Sequence, residues 1–225
     1  MALVVDIETV AISPTEEELV EIKAGIKPPA NYKKQETIDK WMDEQAPLVL
    51  ADKIAKRSLD PFTNQIVAIS AKYHGVSSAS MPILFNECTD REDNLLEEFV
   101  WVIALKGSHY DPYPFVGVNI FGFDLPIIAL HLAKHNIDPC GINFTPSKYD
   151  KSKVIDLMTF FDGKFRSVEA LARFLSIDTS HNPISGAEVQ EYWDRGDLET
   201  IGKHCAVDVE IEWNIYDRLH KIIGS

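Results

Sequence analysis

Leu3-Val4-Val5 runs without a break into Asp6-Ile7-Glu8-Thr9 near the start of the chain. The three apolar, β-favouring residues read as a short strand buried on both faces. Side chains alternate across a strand, so Asp6 and Glu8 point to the same side. Two carboxylates side by side repel unless something positive lies between them. A divalent cation meets that need, and hard oxygen ligands suit Mg²⁺ or Mn²⁺. Taken alone, the pattern also describes a strand end with two solvated acids. Further acids at matching positions are needed to decide between the two.

A polar helical stretch, residues 13–58, separates this strand from the next. Ser13 as cap, Pro14 at the first helical position and Glu16-Glu17-Glu18 in the first turn open a helix. Gln35 to Glu44 and Leu48 to Arg57 read as two more. The stretch has too few apolar residues for a core of its own, so it reads as an insertion within a single domain spanning 1–225. Further strands are expected at Gln65 to Tyr73, Met81 to Phe85, Phe115 to Val118 and Val154 to Leu157. Thr89-Asp90-Arg91-Glu92 is a capping box that opens a helix. Later helices run from Leu125 to His135, from Ser167 to Leu175 and from Asp197 to Ile222, with a second capping-box match at Ser185 to Glu188. Closely spaced early strands, then strand–helix alternation and a long final helix, predict an α/β fold: a mixed five-stranded sheet flanked by helices.

Composition narrows the class. The 225 residues are 45% hydrophobic, enough for a sizeable core, and no apolar run reaches membrane-spanning length. The chain enters a strand at once, without the basic and apolar stretches of a signal peptide. Cys88, Cys140 and Cys205 form no C-x-x-C and read as free thiols in a reducing compartment. A net charge of −13 argues against broad non-specific nucleic-acid binding. It leaves a nucleic-acid enzyme open, because an acidic cluster that takes up cations changes sign locally. There is no G-x-S-x-G, P-loop or G-x-G-x-x-G. His131 and His135 share a helix face but lack the glutamate of a zinc-protease motif.

Two further stretches carry acids. In Asn119-Ile120-Phe121-Gly122-Phe123-Asp124-Leu125-Pro126, a buried strand ends and a helix begins with proline in its first turn. Asp124 therefore lies at the carboxyl end of a strand, where open α/β sheets place ligands; a helix cap is the alternative. In the last helix, His204 and Asp208 are four residues apart and share a face with Ile211 and Ile215. An inward acid needs a partner, which an ordinary ion pair could also supply.

Together these pieces resemble the three exonuclease motifs of the DEDD (DnaQ-like) 3′–5′ exonucleases, which share the ribonuclease-H-like fold. The middle motif, Asn119 to Pro126, is most similar to the proofreading domains of B-family DNA polymerases. The resemblance runs from residue 2 to about 219, includes Leu59-Asp60-Pro61 to Ile69 and Ile155-Asp156-Leu157, and is weakest over 13–58. It implies that Asp6, Glu8, Asp124 and Asp208 hold two divalent metal ions, Mg²⁺ or Mn²⁺. It implies in-line hydrolysis at single-stranded DNA 3′ ends, releasing nucleoside 5′-monophosphates, with His204 taking the water proton. Family members carry Tyr-x-x-x-Asp or His-x-x-x-x-Asp in the last motif, whereas His204 stands at the tyrosine spacing. Asn119, Phe121, Phe123 and Thr9 are the implied substrate contacts, a phenylalanine stacking on the terminal base or sugar. Core packing for Phe123 and loop-holding for Asn119 are the alternatives. Lys148, Lys151, Lys153, Lys164 and Arg166 either track phosphates or form a solvated loop.

With no polymerase domain, the resemblance implies a stand-alone relative, cytoplasmic in a bacterial or phage-infected cell. Its expected partner is single-stranded nucleic acid, DNA before RNA, and no membrane. An exoribonuclease of the same class and a catalytically lapsed nucleic-acid-binding module are the rival readings.

Overall fold

The computed structural model describes residues 2–75, 84–107, 114–159 and 167–223. Five strands, β1 (Ala2–Ala11), β2 (Asn64–His74), β3 (Phe85–Cys88), β4 (Phe115–Gly117) and β5 (Val154–Asp156), form one sheet in the order β3-β2-β1-β4-β5. β3 runs antiparallel to β2, while β4 is parallel to both β1 and β5. This is the mixed five-stranded α/β sheet expected from the sequence. The described helices are α1 (Glu16–Ala24), α2 (Gln35–Glu44), α3 (Ala46–Ala55), α4 (Glu92–Gly107), α5 (Asp124–Lys134), α6 (Val168–Phe174), α7 (Val189–Asp194) and α8 (Leu198–Ile223).

β1 is longer than the short strand expected, so Asp6 and Glu8 lie inside it rather than at its end. The reason is lateral support: β4 stops at Gly117, but β2 flanks β1 as an eleven-residue strand. β3 begins at Phe85, where the expected strand was to finish; residues 81–83 of that expectation lie outside the described residues.

Alternation decides what each side of the sheet meets. Leu3, Val5 and Ile7 join Phe115, Phe99 and Ile128 in a core under α4 and α5. Ala2, Val4 and Val116 join Leu171, Val209 and Ile215 in a second core under α6 and α8. Asp6 and Glu8 continue the even-numbered series, so strand geometry turns them toward α8. A one-residue slip would drive both acids into the first core, where burying a carboxylate without a partner is strongly unfavourable. Hydrophobic register thus fixes the direction of the acids.

The chain divides into two compact units, Met1–Thr9 with Ile66–Ser225, and Val10–Gln65. The second contains α1, α2 and α3, none of which fully buries a residue. Its first helix starts later than expected. Thr15, not Ser13, is the cap: its hydroxyl accepts the Glu18 N–H at 3.2 Å and Glu18 accepts the Thr15 N–H at 2.8 Å, closing both halves of a capping box.

In the larger unit, the capping box expected at Thr89 to Glu92 does not form. The Glu92 carboxylate turns inward instead, accepting from the Ile66 N–H at 2.6 Å and Lys134 Nζ at 2.8 Å, and meeting His131 Nδ1 at 2.6 Å and His135 Nε2 at 2.7 Å. Two histidines and a lysine outcompete one backbone amide, and the His131–His135 pair thereby serves to join α4 and α5. The Ser185–Glu188 box does form, and Asp197 accepts the Thr200 N–H at 3.1 Å at the start of α8.

Candidate active site

Beyond Gly117 the chain turns through Val118 to Phe123 before entering α5. Asn119 adopts φ +59°, a left-handed conformation that asparagine tolerates better than most residues. Gly122 makes room for it, since a Cβ there would stand 2.5 Å from Asn119 Oδ1. The Asn119 carbonyl accepts the Gly122 and Phe123 N–H groups, both at 2.9 Å. Two carboxylates hold the turn from outside: Glu212 Oε1 accepts the Val118 N–H at 2.9 Å, and Asp156 Oδ1 accepts the Asn119 N–H at 3.1 Å. Phe123 occupies the cap position of α5 without a side-chain cap bond. Asp124 is therefore not the cap; its Oδ1 accepts the Ile7 N–H at 3.2 Å.

α8 supplies the opposite wall. His204, Asp208 and Glu212 recur every four residues, within a stripe that also buries Cys205, Val209 and Ile215. His204 Nε2 stands 3.2 Å from Glu8 Oε1, and its Nδ1 stands 3.5 Å from Asp208 Oδ2. Donor atoms of Glu8, His204 and Asp208 lie within 4.8 Å of one another, as do those of Asp6, Glu8 and Cys205. Asp124 belongs to neither trio but bears on both acids of β1 through its charge. Asn182, from the segment after α6, meets His204 Nδ1 at 2.5 Å and donates to Asp208 Oδ1 at 2.7 Å. Asp6, Asn182, His204, Asp208 and Glu212 line a cavity of about 290 Å³.

Burial first, then mutual repulsion, pushes the Asp6, Glu8 and Glu212 carboxyls well above the usual carboxylate range. Burial also pushes Asp124 and Asp208 up to about 7, against the hydrogen bonds from Ile7 and Asn182. Burial pushes His204 down to about 4, so its ring is neutral at pH 7. Among the described residues, no lysine or arginine lines the cavity. Asp6 Oδ2, Glu212 Oε2 and His204 Nε2 are buried without a hydrogen-bond partner. Buried oxygen and nitrogen acceptors left bare, with no cationic side chain among them, fit a site for divalent ions.

The remaining sequence candidates fall around this centre. Asn119 forms the turn itself, and Phe121 and Phe123 are partly buried against the first core. Thr9 is buried on β1. Lys164 and Arg166 lie outside the described residues, while Lys148 and Lys151 are exposed. Sequence reasoning missed Glu212, Asp156 and Asn182. Glu212 was readable as one more four-residue step beyond His204 and Asp208. Asp156 sits at the carboxyl end of β5, a position of the same kind as that assigned to Asp124. Asn182 lies in an irregular segment with no periodic signal.

A family model described as a predicted 3′–5′ exonuclease related to the exonuclease domain of PolB matches residues 59–225. No curated protein sequence matches the chain. Among solved structures, the family B DNA polymerase from the hyperthermophilic archaeon Pyrobaculum calidifontis is similar over 97% of this chain, with a TM-score of 0.55 and 17% identity. The chain spans 24% of that polymerase's length, and the likeness is one of fold.

Proposed function

Because the chain belongs to the family of predicted 3′–5′ exonucleases related to the exonuclease domain of PolB, we propose that it hydrolyses the terminal phosphodiester bond of single-stranded DNA from the 3′ end and releases nucleoside 5′-monophosphates. One observation carries this reading. Acids from three distant segments, Asp6 and Glu8 on β1, Asp124 at the start of α5 and Asp208 on α8, converge beside a cavity that, among the described residues, no lysine or arginine lines.

Asp6, Glu8, Asp124 and Asp208 would hold two divalent ions, Mg²⁺ or Mn²⁺. Such ions, when bound, offset the carboxylate charge, acidify water and polarise a phosphodiester. The rest falls to the chain's own groups. His204, neutral at pH 7 and with Nε2 bare, takes the proton of the attacking water. Asn119, Phe121, Phe123 and Thr9 hold the terminal nucleotide, with an aromatic ring against the base or sugar, a contact tolerant of sequence. Residues 13–58 are an insertion in this single exonuclease domain, which works in the cytoplasm of a bacterial or phage-infected cell.

The test is degradation of 5′-labelled single-stranded DNA and RNA of one sequence, with Mn²⁺, Mg²⁺ or EDTA, by the native chain and by Asp6→Ala and His204→Ala. The expected result is a metal-dependent ladder shortening from the 3′ end, faster on DNA and lost with Asp6→Ala. Faster cutting of RNA would replace the substrate but keep the class. No cutting of either polymer with any metal would overturn the reading.

A further inference from the structure

We infer that Asn182 is the positioning residue that fixes which ring nitrogen of His204 faces Glu8. The inference rests on the exonuclease reading for its catalytic meaning, but its structural content stands on hydrogen-bond chemistry alone.

Asn182 makes two side-chain contacts, to His204 Nδ1 through its Oδ1 at 2.5 Å and to Asp208 Oδ1 through its Nδ2 at 2.7 Å. The carboxylate oxygen of Asp208 accepts, and the group of Asn182 that faces it is the amide nitrogen. The carboxamide oxygen is thereby turned toward His204, and it also only accepts. The proton between them must sit on Nδ1. A neutral imidazole carries one N–H, so Nε2 is left as a bare acceptor.

That nitrogen points to where it is needed. Nε2 is buried with no hydrogen-bond partner and stands 3.2 Å from Glu8 Oε1. Gly186 faces this nitrogen, and a Cβ added there would stand 4.0 Å from it, in van der Waals contact. Free histidine in water favours the other neutral form, with the proton on Nε2, in which the inward nitrogen could not accept from water. Asn182 thus selects the minor form of the ring. The same amide pins Asp208, four residues along α8, and so sets the angle between base and acid. The segment holding Asn182 is itself tied down: its N–H donates to the Thr179 carbonyl at 3.3 Å, and Ser185 and Glu188 close a capping box just beyond it.

This assignment explains how a histidine at a four-residue offset from Asp208 can act on water. The offset alone leaves the ring free to present either nitrogen. The orienting amide comes from another segment, as outer partners of catalytic histidines commonly do.

The test is ¹⁵N NMR of the full chain labelled in its histidine rings, at pH 7, with His204→Ala identifying the signals of this residue. The native ring is expected to show a protonated Nδ1 and a bare Nε2. Asn182→Ala is expected to move the proton to Nε2. Asn182→Asp, which can still accept from Nδ1, is expected to keep the native form. In the cleavage assay Asn182→Ala should lower kcat about 10- to 100-fold with KM for the strand little changed. A native Nε2–H ring, or an Asn182→Ala ring that keeps its proton on Nδ1, overturns the inference. So does a switched ring with undiminished kcat. If the native chain cuts nothing yet the ring switches as described, the exonuclease reading fails and the positioning role stands.

Discussion

Ile7 donates its backbone N–H to Asp124 Oδ1 at 3.2 Å. Ile7 sits between the two acids of β1, and β4 ends too early to take up its amide. One hydrogen bond therefore locks the first acidic segment to the third acid. Asp124→Asn keeps an oxygen for this bond and removes a charge from a crowded site. Its metal-dependent cleavage should fall at least about 100-fold, the scale of losing one group that stabilises transition-state charge. Its metal-free melting temperature should rise by about 2–4 °C, corresponding to roughly 1 kcal/mol of relieved repulsion. A fall of several degrees would instead mark Asp124 as a structural residue.

Without metal, the native chain should lose stability as pH rises from about 4.5 to 7. Asp124 and Asp208 titrate near 7, and Asp6, Glu8 and Glu212 are also raised well above their ordinary values. Across this window the folded chain holds protons that the unfolded chain has released, so the slope of stability with pH is negative. His204, lowered to about 4, pulls the other way by a single proton. Thermal melts in EDTA at pH 5, 6 and 7.5 read the slope directly. Saturating Mg²⁺ or Mn²⁺ should reverse it, because the ions bind the ionised carboxylates. A melt that climbs with pH in EDTA would contradict the crowded-acid account.

Much of this was legible in the chain. The even-numbered series Ala2, Val4, Asp6, Glu8 already states that the acids share a face with one core, and alternation is a local rule. The four-residue step from His204 to Asp208 is local too. What stayed hidden was competition between distant partners. Glu92 reads as half of a capping box until His131, Lys134 and His135 arrive from another helix. β1 reads as short until β2 supports it beyond the last residue of β4. Asn182 carries no pattern at all, because its role is set by what folds against it.

Glu212 is expected to belong to the working site. It is buried, Oε1 holds the Val118 N–H, and Oε2 is left bare toward the acids. Glu212→Gln preserves an acceptor for Val118 while removing a charge. Activity at limiting metal should fall about 10- to 100-fold, as for other outer partners of metal sites, with recovery as Mg²⁺ or Mn²⁺ is raised. Glu212→Leu also strands the Val118 amide and should lose a further 1–3 kcal/mol or so of stability. Metal titrations of cleavage, paired with urea denaturation, separate the two effects. Equal metal dependence in Glu212→Gln and the native chain would reduce Glu212 to a loop anchor.

The Glu92 centre should govern acid stability without touching catalysis. Burial alone would raise this carboxyl, but hydrogen bonds from His131, Lys134, His135 and the Ile66 amide outweigh it and hold the group down at about 2. A depressed carboxyl contributes stability that is complete above its unfolded value, near 4.5, and is lost as pH falls from there toward 2. The shift corresponds to about 3 kcal/mol at neutral pH, and the side chain is only 5% exposed, so solvent screens little of it. Glu92→Gln should therefore unfold in less urea than the native chain at pH 7, by roughly 2–3 kcal/mol, within the range for breaking a buried ion pair. At pH 3 the gap should shrink, because the native carboxylate is then losing its own advantage. At 25 °C and pH 7, metal-dependent cleavage by the variant should match the native rate, since its partners lie on β2, on α5 and at the C-terminal cap of α5, and none lines the acidic cavity. A stability gap that is the same at both pH values would assign the loss to packing rather than to the charge of Glu92.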